Sequence, residues 1–156
     1  MPDGKKTKHI LLVEDNEQYQ RWCKQRFDDM KSNHNAEILV INVSSFQEVE
    51  EFVQKVKSSE GKEKVDCVVV DMQIWQHKST NRTSEEKVSI HWGWQAFREI
   101  QTILELDEIL IVTAYKGNVL PYLSDPEKKR IKTKDIHPNL FEEEVISCWN
   151  WRSQKR

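Results

Sequence analysis

Apolar residues fall along this chain in two alternating rhythms: short unbroken β-branched runs, and longer stretches in which every third or fourth position is apolar. Ile10 to Val13, Ile38 to Val43, Val65 to Val70 and Ile109 to Val112 are of the first kind. Runs this short and this β-branched read as strands buried on both faces. Behind the first, Tyr19, Trp22, Cys23, Phe27 and Met30 repeat at helical spacing, with Asn16 as cap and Glu17 in the first turn. Ser44-Ser45 opens a second helical pattern through Phe46, Val49, Phe52, Val53 and Val56, and a third starts at Gly93 and carries Phe97, Ile100, Ile103 and Leu104. A weak helix follows the fourth strand, interrupted by Pro121 and closed by Ser124-Asp125-Pro126. Arg130 to Thr133 is the fifth strand, an edge with a partly wet face. Pro138 near a helix start, then Leu140, Phe141, Val145, Ile146 and Trp149, mark a terminal helix. Strands and helices in this alternation predict an α/β fold, a doubly wound parallel sheet of five strands with helices on both faces.

One stretch breaks the rhythm. From about 76 to 91 the chain is polar and aperiodic, bounded by Trp75 on one side and Trp92-Gly93-Trp94 on the other. Loops longer than about 12 residues tend to be functional or mobile. Trp92 and Trp94 either anchor this loop to the core or face a partner. Trp149 and Trp151 lie two apart on a helix and so point in different directions, which leaves at least one exposed as a candidate contact.

Composition narrows the classes. The chain of 156 residues suits one domain. Lys and Arg total 24 against 26 Asp and Glu, a net charge of −2 with the signs interspersed, so no broad field selects nucleic acid or anionic lipid. No stretch approaches the roughly 20 apolar residues needed to span a bilayer. Residues 1–8 are basic, are expected to be flexible, and lack the apolar core and cleavage site of a signal peptide, which predicts a cytoplasmic protein. Cys23, Cys67 and Cys148 form no C-x-x-C pair and read as buried thiols. The five histidines show no metal-ligand spacing.

The chemistry lies where two apolar runs stop. Ile10 to Val13 is followed by Glu14-Asp15, and Cys67 to Val70 by Asp71. Acids there sit at strand ends, and in open α/β sheets that edge binds ligands. If the two strands are neighbours, three carboxyl groups converge, and their repulsion is costly unless a cation or protons neutralise it. The pattern points to a divalent-metal site with one acid left for chemistry. Strand-end carboxylates that cap helices and face solvent are the plainer alternative.

Leu11-Leu12-Val13-Glu14-Asp15-Asn16, Val68-Val69-Val70-Asp71-Met72, Gly93, Ile111-Val112-Thr113-Ala114 and a lysine 21 positions after that threonine occur in the order seen in one family. Over about 9–152 the chain resembles the receiver domain of bacterial two-component response regulators. The resemblance implies a flavodoxin-like sheet of strand order 2-1-3-4-5 and no output domain. It implies Asp71 as phosphoacceptor, taking a phosphoryl group from a sensor histidine kinase or a histidine phosphotransfer protein. Glu14, Asp15, Asp71 and the backbone carbonyl of Gln73 would hold Mg²⁺, Lys134 would meet the phosphoryl oxygens, and the Thr113 hydroxyl would bond to the new group. Such a phosphoprotein signals by changed contacts with a downstream protein, and it is not an enzyme beyond its own phosphorylation and slow dephosphorylation. Pairing through the fourth and fifth units makes a homodimer a further expectation, with no direct contact to nucleic acid or membrane.

Departures from the family pattern are equally specific. Trp75 stands where proline is common, the crossing to the next helix is longer by roughly a dozen residues, and the lysine is followed by Asp135, a competing carboxylate. Lys132 is the rival for the role of Lys134. Ile131 occupies the place of an aromatic switch residue. These leave open a degenerate receiver that acts as a phosphorylation-independent interaction module. A Mg²⁺-dependent phosphohydrolase is disfavoured, because Gln73 stands where haloacid-dehalogenase-type phosphatases carry a second aspartate.

Overall fold

The structure, a computed structural model, describes residues 6–150. Five parallel strands form one sheet: β1 (Lys6–Val13), β2 (Ala36–Val43), β3 (Cys67–Asp71), β4 (Ile109–Thr113) and β5 (Ile131–Thr133), in the order β2-β1-β3-β4-β5. The intervening helices are α1 (Glu17–Asn33), α2 (Phe46–Ser58), α3 (Ile90–Ile100), the single turns α4 (Lys116–Val119) and α5 (Asp125–Lys128), and α6 (Pro138–Trp149).

Alternation along the central strands feeds two cores. Leu11, Val13, Val68, Val70, Ile109 and Ile111 pack under α2 and α3 against Val49, Phe52, Val53, Ala96, Phe97 and Ile100. Ile10, Leu12, Cys67, Val69, Leu110 and Val112 meet Cys23, Phe27, Met30, Phe141 and Val145 of α1 and α6 on the other face. Both faces of β3 and β4 are therefore covered, which is why those runs carry no alternating polar residues. All three cysteines are buried free thiols. Among the described residues, no helix is long and apolar enough to cross a membrane.

Several boundaries differ from the sequence pattern; α3 ends at Ile100, so Ile103 and Leu104 fall in the turn after it, and β3 starts at Cys67, two residues after Val65. Lys6, Thr7 and Lys8, inside the segment read as flexible, belong to β1, because the parallel register pairs them with Ala36, Glu37 and Ile38 of β2. α3 begins at Ile90, with the Ser89 hydroxyl accepting the His91 N–H, so Gly93 lies inside the helix and does not open it. A Cβ on Gly93 would sit 1.8 Å from the Met72 carbonyl oxygen; glycine is there for close approach. Ser124 starts α5 through a reciprocal capping box with Glu127, where the pattern suggested a stop. The 76–91 segment, finally, carries structure of its own. Ile74 and Ser89 close an antiparallel bridge, Trp75 bridges Ser45, and a 3₁₀ turn spans Ser79–Asn81.

That insertion leans on the start of α2. Lys78 N–H and the Asn81 amide both donate to the Gln47 side chain, and the Arg82 guanidinium stacks 4.1 Å from the Trp75 ring while donating to His77 O and Ser44 Oγ. Trp92 packs against Phe46, and the Trp94 indole N–H donates to Tyr122 O, so the two rings tie α3 to the start of α2 and to the segment before α5. Trp149 is buried in the α1/α6 core, whereas Trp151 lies outside the described residues.

Candidate functional site

Parallel strands emerge from a sheet at one edge, and this edge gathers the chemistry. Val13 of β1 stands beside Val70 of β3, so Glu14 and Asp15 leave β1 next to Asp71 at the end of β3. Ligand oxygens of Glu14, Asp15 and Asp71 lie within 4.8 Å of one another. Glu14 is fully buried and Asp71 is 3% exposed, whereas Asp15 is half-buried. Thr113 ends β4, and its carbonyl accepts the backbone N–H of Lys134, just past β5. The Lys134 ammonium swings over the edge to Glu14 at 2.9 Å and Asp71 at 3.0 Å.

Local backbone N–H groups hold Asp71, Glu14 and Thr113. The Gln73 N–H donates to Asp71 Oδ1, and the Asn16 N–H to Glu14 Oε2. The Thr113 hydroxyl accepts the Tyr115 N–H, which fixes the loop after β4. Lys132, the rival lysine, turns instead towards Glu144 of α6 at 4.0 Å. Asp135 does not compete for the ammonium, because it accepts the Thr133 hydroxyl.

Three residues join the site without a sequence signal strong enough to nominate them. The Tyr19 ring lies 4.8 Å from the Lys134 ammonium, a cation–π contact that backs the lysine. Gln20 and Asn42 donate to the Glu14 carbonyl and steady the turn that carries both acids. Tyr19 reads in the sequence only as one apolar position of α1. Its second role exists because the helix passes over the sheet edge.

Electrostatics set this cluster under tension. Burial, then the neighbouring Asp71, pushes the Glu14 carboxyl up to about 8, although the Asn16 N–H and Lys134 oppose the rise. Burial and Asp71 also raise Asp15. For Lys134 burial alone would lower the value, but Asp71 and Glu14 together hold it above the ordinary lysine range. Glu14 Oε1 is buried without an aligned hydrogen bond even though the ammonium stands close by. Three carboxylates gathered against one ammonium fit a hard divalent cation such as Mg²⁺.

A pH dependence follows from Glu14. Its folded-state value lies above the ordinary 4.5, so between about 4.5 and about 8 the folded chain binds the extra proton and stability falls as pH rises. Melting temperatures in EDTA are expected to decline from about pH 5 to about pH 8, and millimolar Mg²⁺ is expected to remove most of that decline by favouring the ionised carboxylates. A flat profile in EDTA would show that Glu14 is already charged.

No family model and no curated protein matches this chain. Solved structures do. It is similar to the phosphorylated cyanobacterial phytochrome response regulator RcpA, at 15% identity and a TM-score of 0.54 over 96% of each chain. The bacteriophytochrome response regulator AtBRR aligns at 14% identity and a TM-score of 0.58, covering 92% of this chain and 93% of that one. A segment of the Francisella novicida lysine decarboxylase LdcF is also similar, at 15% identity and a TM-score of 0.51; the match covers 95% of this chain but 18% of that one. The chain has the flavodoxin-like receiver fold of response regulators, with strand order 2-1-3-4-5.

Proposed function

We propose that this chain is a phosphoryl-accepting receiver of two-component or phosphorelay signalling. Asp71 takes the group from a phosphohistidine of a sensor kinase or phosphotransfer protein, and the changed surface then alters contacts with a downstream protein in the cytoplasm. One observation carries the reading: Asp71, nearly buried at the end of β3, is bound by the Lys134 ammonium and flanked by the two acids that end β1.

Phosphoryl transfer is chiefly a matter of positioning and charge. An Asp71 carboxylate oxygen attacks phosphorus, the P–N bond to the donor imidazole breaks, and the imidazole departs with that electron pair. Glu14, Asp15, Asp71 and the Gln73 carbonyl are the groups that would hold Mg²⁺, which when bound supplies charge neutralisation for the phosphoryl oxygens. Lys134 already touches Asp71, so its ammonium reaches an oxygen of the arriving group by a small movement. The Thr113 hydroxyl, now accepting from Tyr115, would turn to donate to the phosphoryl group and draw the loop after β4 with it. Asp71 is modified once per event, so the chain acts as a substrate and signal carrier, without turnover on other molecules.

A phosphorylation-independent interaction module is the second reading, favoured by Ile131: it is 2% exposed and leaves no aromatic ring in β5 to report on the loop. Incubation with Mg²⁺ and acetyl phosphate, followed by intact-mass measurement, separates the two. The first reading expects one phosphoryl adduct that EDTA prevents. Absence of an adduct, together with no response to beryllofluoride, selects the second.

A further inference from the structure

The two edges of the sheet are built differently. β5 is three residues long, and Arg130, Lys132 and Lys134 lie in or beside it. Shortness and lysines protect an edge from pairing. β2 has neither device. It runs for eight residues, Ala36-Glu37-Ile38-Leu39-Val40-Ile41-Asn42-Val43, with no proline, no lysine and a single charge. Three consecutive apolar side chains on it face solvent: Leu39 at 46%, Val40 at 38% and Ile41 at 46%.

Backbone polarity says which residues of β2 turn their N–H and C=O away from β1, where no other described residue pairs with them. The Val43 carbonyl accepts the Glu14 N–H, so Val43 and its alternates Ile41, Leu39 and Glu37 turn their polar groups inward to β1. Ile38, Val40 and Asn42 therefore turn theirs outward. A two-fold axis perpendicular to the sheet brings two such edges together antiparallel, and it must place each residue opposite one of the same parity. Centred on Val40, this register sets Val40 against the partner's Val40 as a hydrogen-bonded pair, and Ile38 against the partner's Asn42. Leu39 then meets the partner's Ile41, and Ile41 the partner's Leu39, joining four exposed apolar side chains into one cluster on the α2 side of the sheet. Centring on Leu39 would instead set Glu37 against the partner's Ile41.

We propose that two copies of this chain pair through β2 in that register, joining their sheets into one continuous sheet. On the α1 side, Val40 and Leu12 floor a groove of about 430 Å³ whose α1 rim carries Arg21, Lys24, Asp28 and Lys31, and in this register the partner's Val40 would lie along its flank. The dimer lies at the edge opposite the fourth and fifth units. One strand edge is smaller than a standard interface of roughly 1,200–2,000 Å², so the association is expected on the order of 10–100 µM.

Sedimentation velocity across that range, with single-cysteine variants read in parallel, tests the proposal. The mass of the native chain is expected to rise with concentration and level off at twice the monomer, while Ile41→Lys, at an exposed position, stays monomeric. Val40→Cys, treated with copper oxidant or a short dithiol-bridging reagent, is expected to give a covalent dimer at least about tenfold faster than Leu39→Cys or Glu37→Cys, because facing Cα atoms in such a pair stand about 5.5 Å apart. The native cysteines are buried and do not interfere. A native chain that stays monomeric with no fast Val40→Cys crosslink overturns the proposal. So does mass that climbs without a plateau, faster crosslinking at position 39, or a dimer indifferent to Ile41→Lys.

Discussion

Asp71→Asn is expected to abolish phosphoryl uptake from acetyl phosphate and Mg²⁺, with at least about a hundredfold less adduct than the native chain by intact mass. The substitution preserves shape and removes the nucleophile, since an amide oxygen carries no full charge to direct at phosphorus. It also takes one of three carboxylates out of the cluster. Asp71 is the second cause, after burial, of the elevated Glu14 value, so its removal lets Glu14 ionise more readily and keep Lys134 as partner. The variant is accordingly expected to melt no lower than the native chain in EDTA at pH 7.5. Loss of adduct with retained stability separates a lost acceptor from a lost fold. An adduct that persists in Asp71→Asn would place the acceptor on another side chain.

Gly93→Ala is expected to cost roughly 3 kcal/mol or more, a fall of roughly 6–12 °C in Tm for a domain of this size. A methyl group there would lie 1.8 Å from the Met72 carbonyl oxygen and 2.1 Å from its carbonyl carbon, and backbone cannot rotate aside as a flexible side chain can. Relief requires α3 to lift off the residue that follows Asp71, so the damage is expected to reach the site as well, as slower phosphoryl uptake at temperatures where the variant is still folded. Gly117→Ala is the control, because nothing lies within 4 Å of the position its Cβ would take, and its Tm is expected to stay within about 2 °C of native. Equal melting of Gly93→Ala and the native chain would mean that helix and strand end are farther apart than described.

Asp71 was legible because a charge directly after Cys67-Val68-Val69-Val70 contradicts its surroundings, and Glu14-Asp15 repeat that contradiction after β1. Lys134 was legible by spacing from Thr113, but the choice between it and Lys132 was not. The two share a charge and differ in where the chain is when they occur: Lys132 is inside β5 and turns to α6, and Lys134 is past its end with its N–H bound to Thr113. The role of Gly93 is hidden in the sequence for a related reason. Glycine in a sequence signals freedom of the backbone, and only the neighbour across the gap, Met72, shows that here it signals lack of space.

The insertion illustrates the same limit. Its polar, aperiodic residues contain no pattern that a strand or helix would impose, yet it is held by Gln47, Ser44 and the Trp75 ring, partners that lie before it in the chain and come near only when α2 docks. Tyr19 gained a contact with Lys134 by the same route, across more than a hundred residues of sequence. By itself the sequence determined what depends on local repetition: five strands, the main helices between them, and acids at the strand ends, because burial on both faces or one leaves its period in the order of residues. The tertiary structure alone decided which lysine meets Asp71, why position 93 admits no side chain, where the insertion rests and which strands stand at the edges of the sheet, because these depend on distances between segments that no periodicity records.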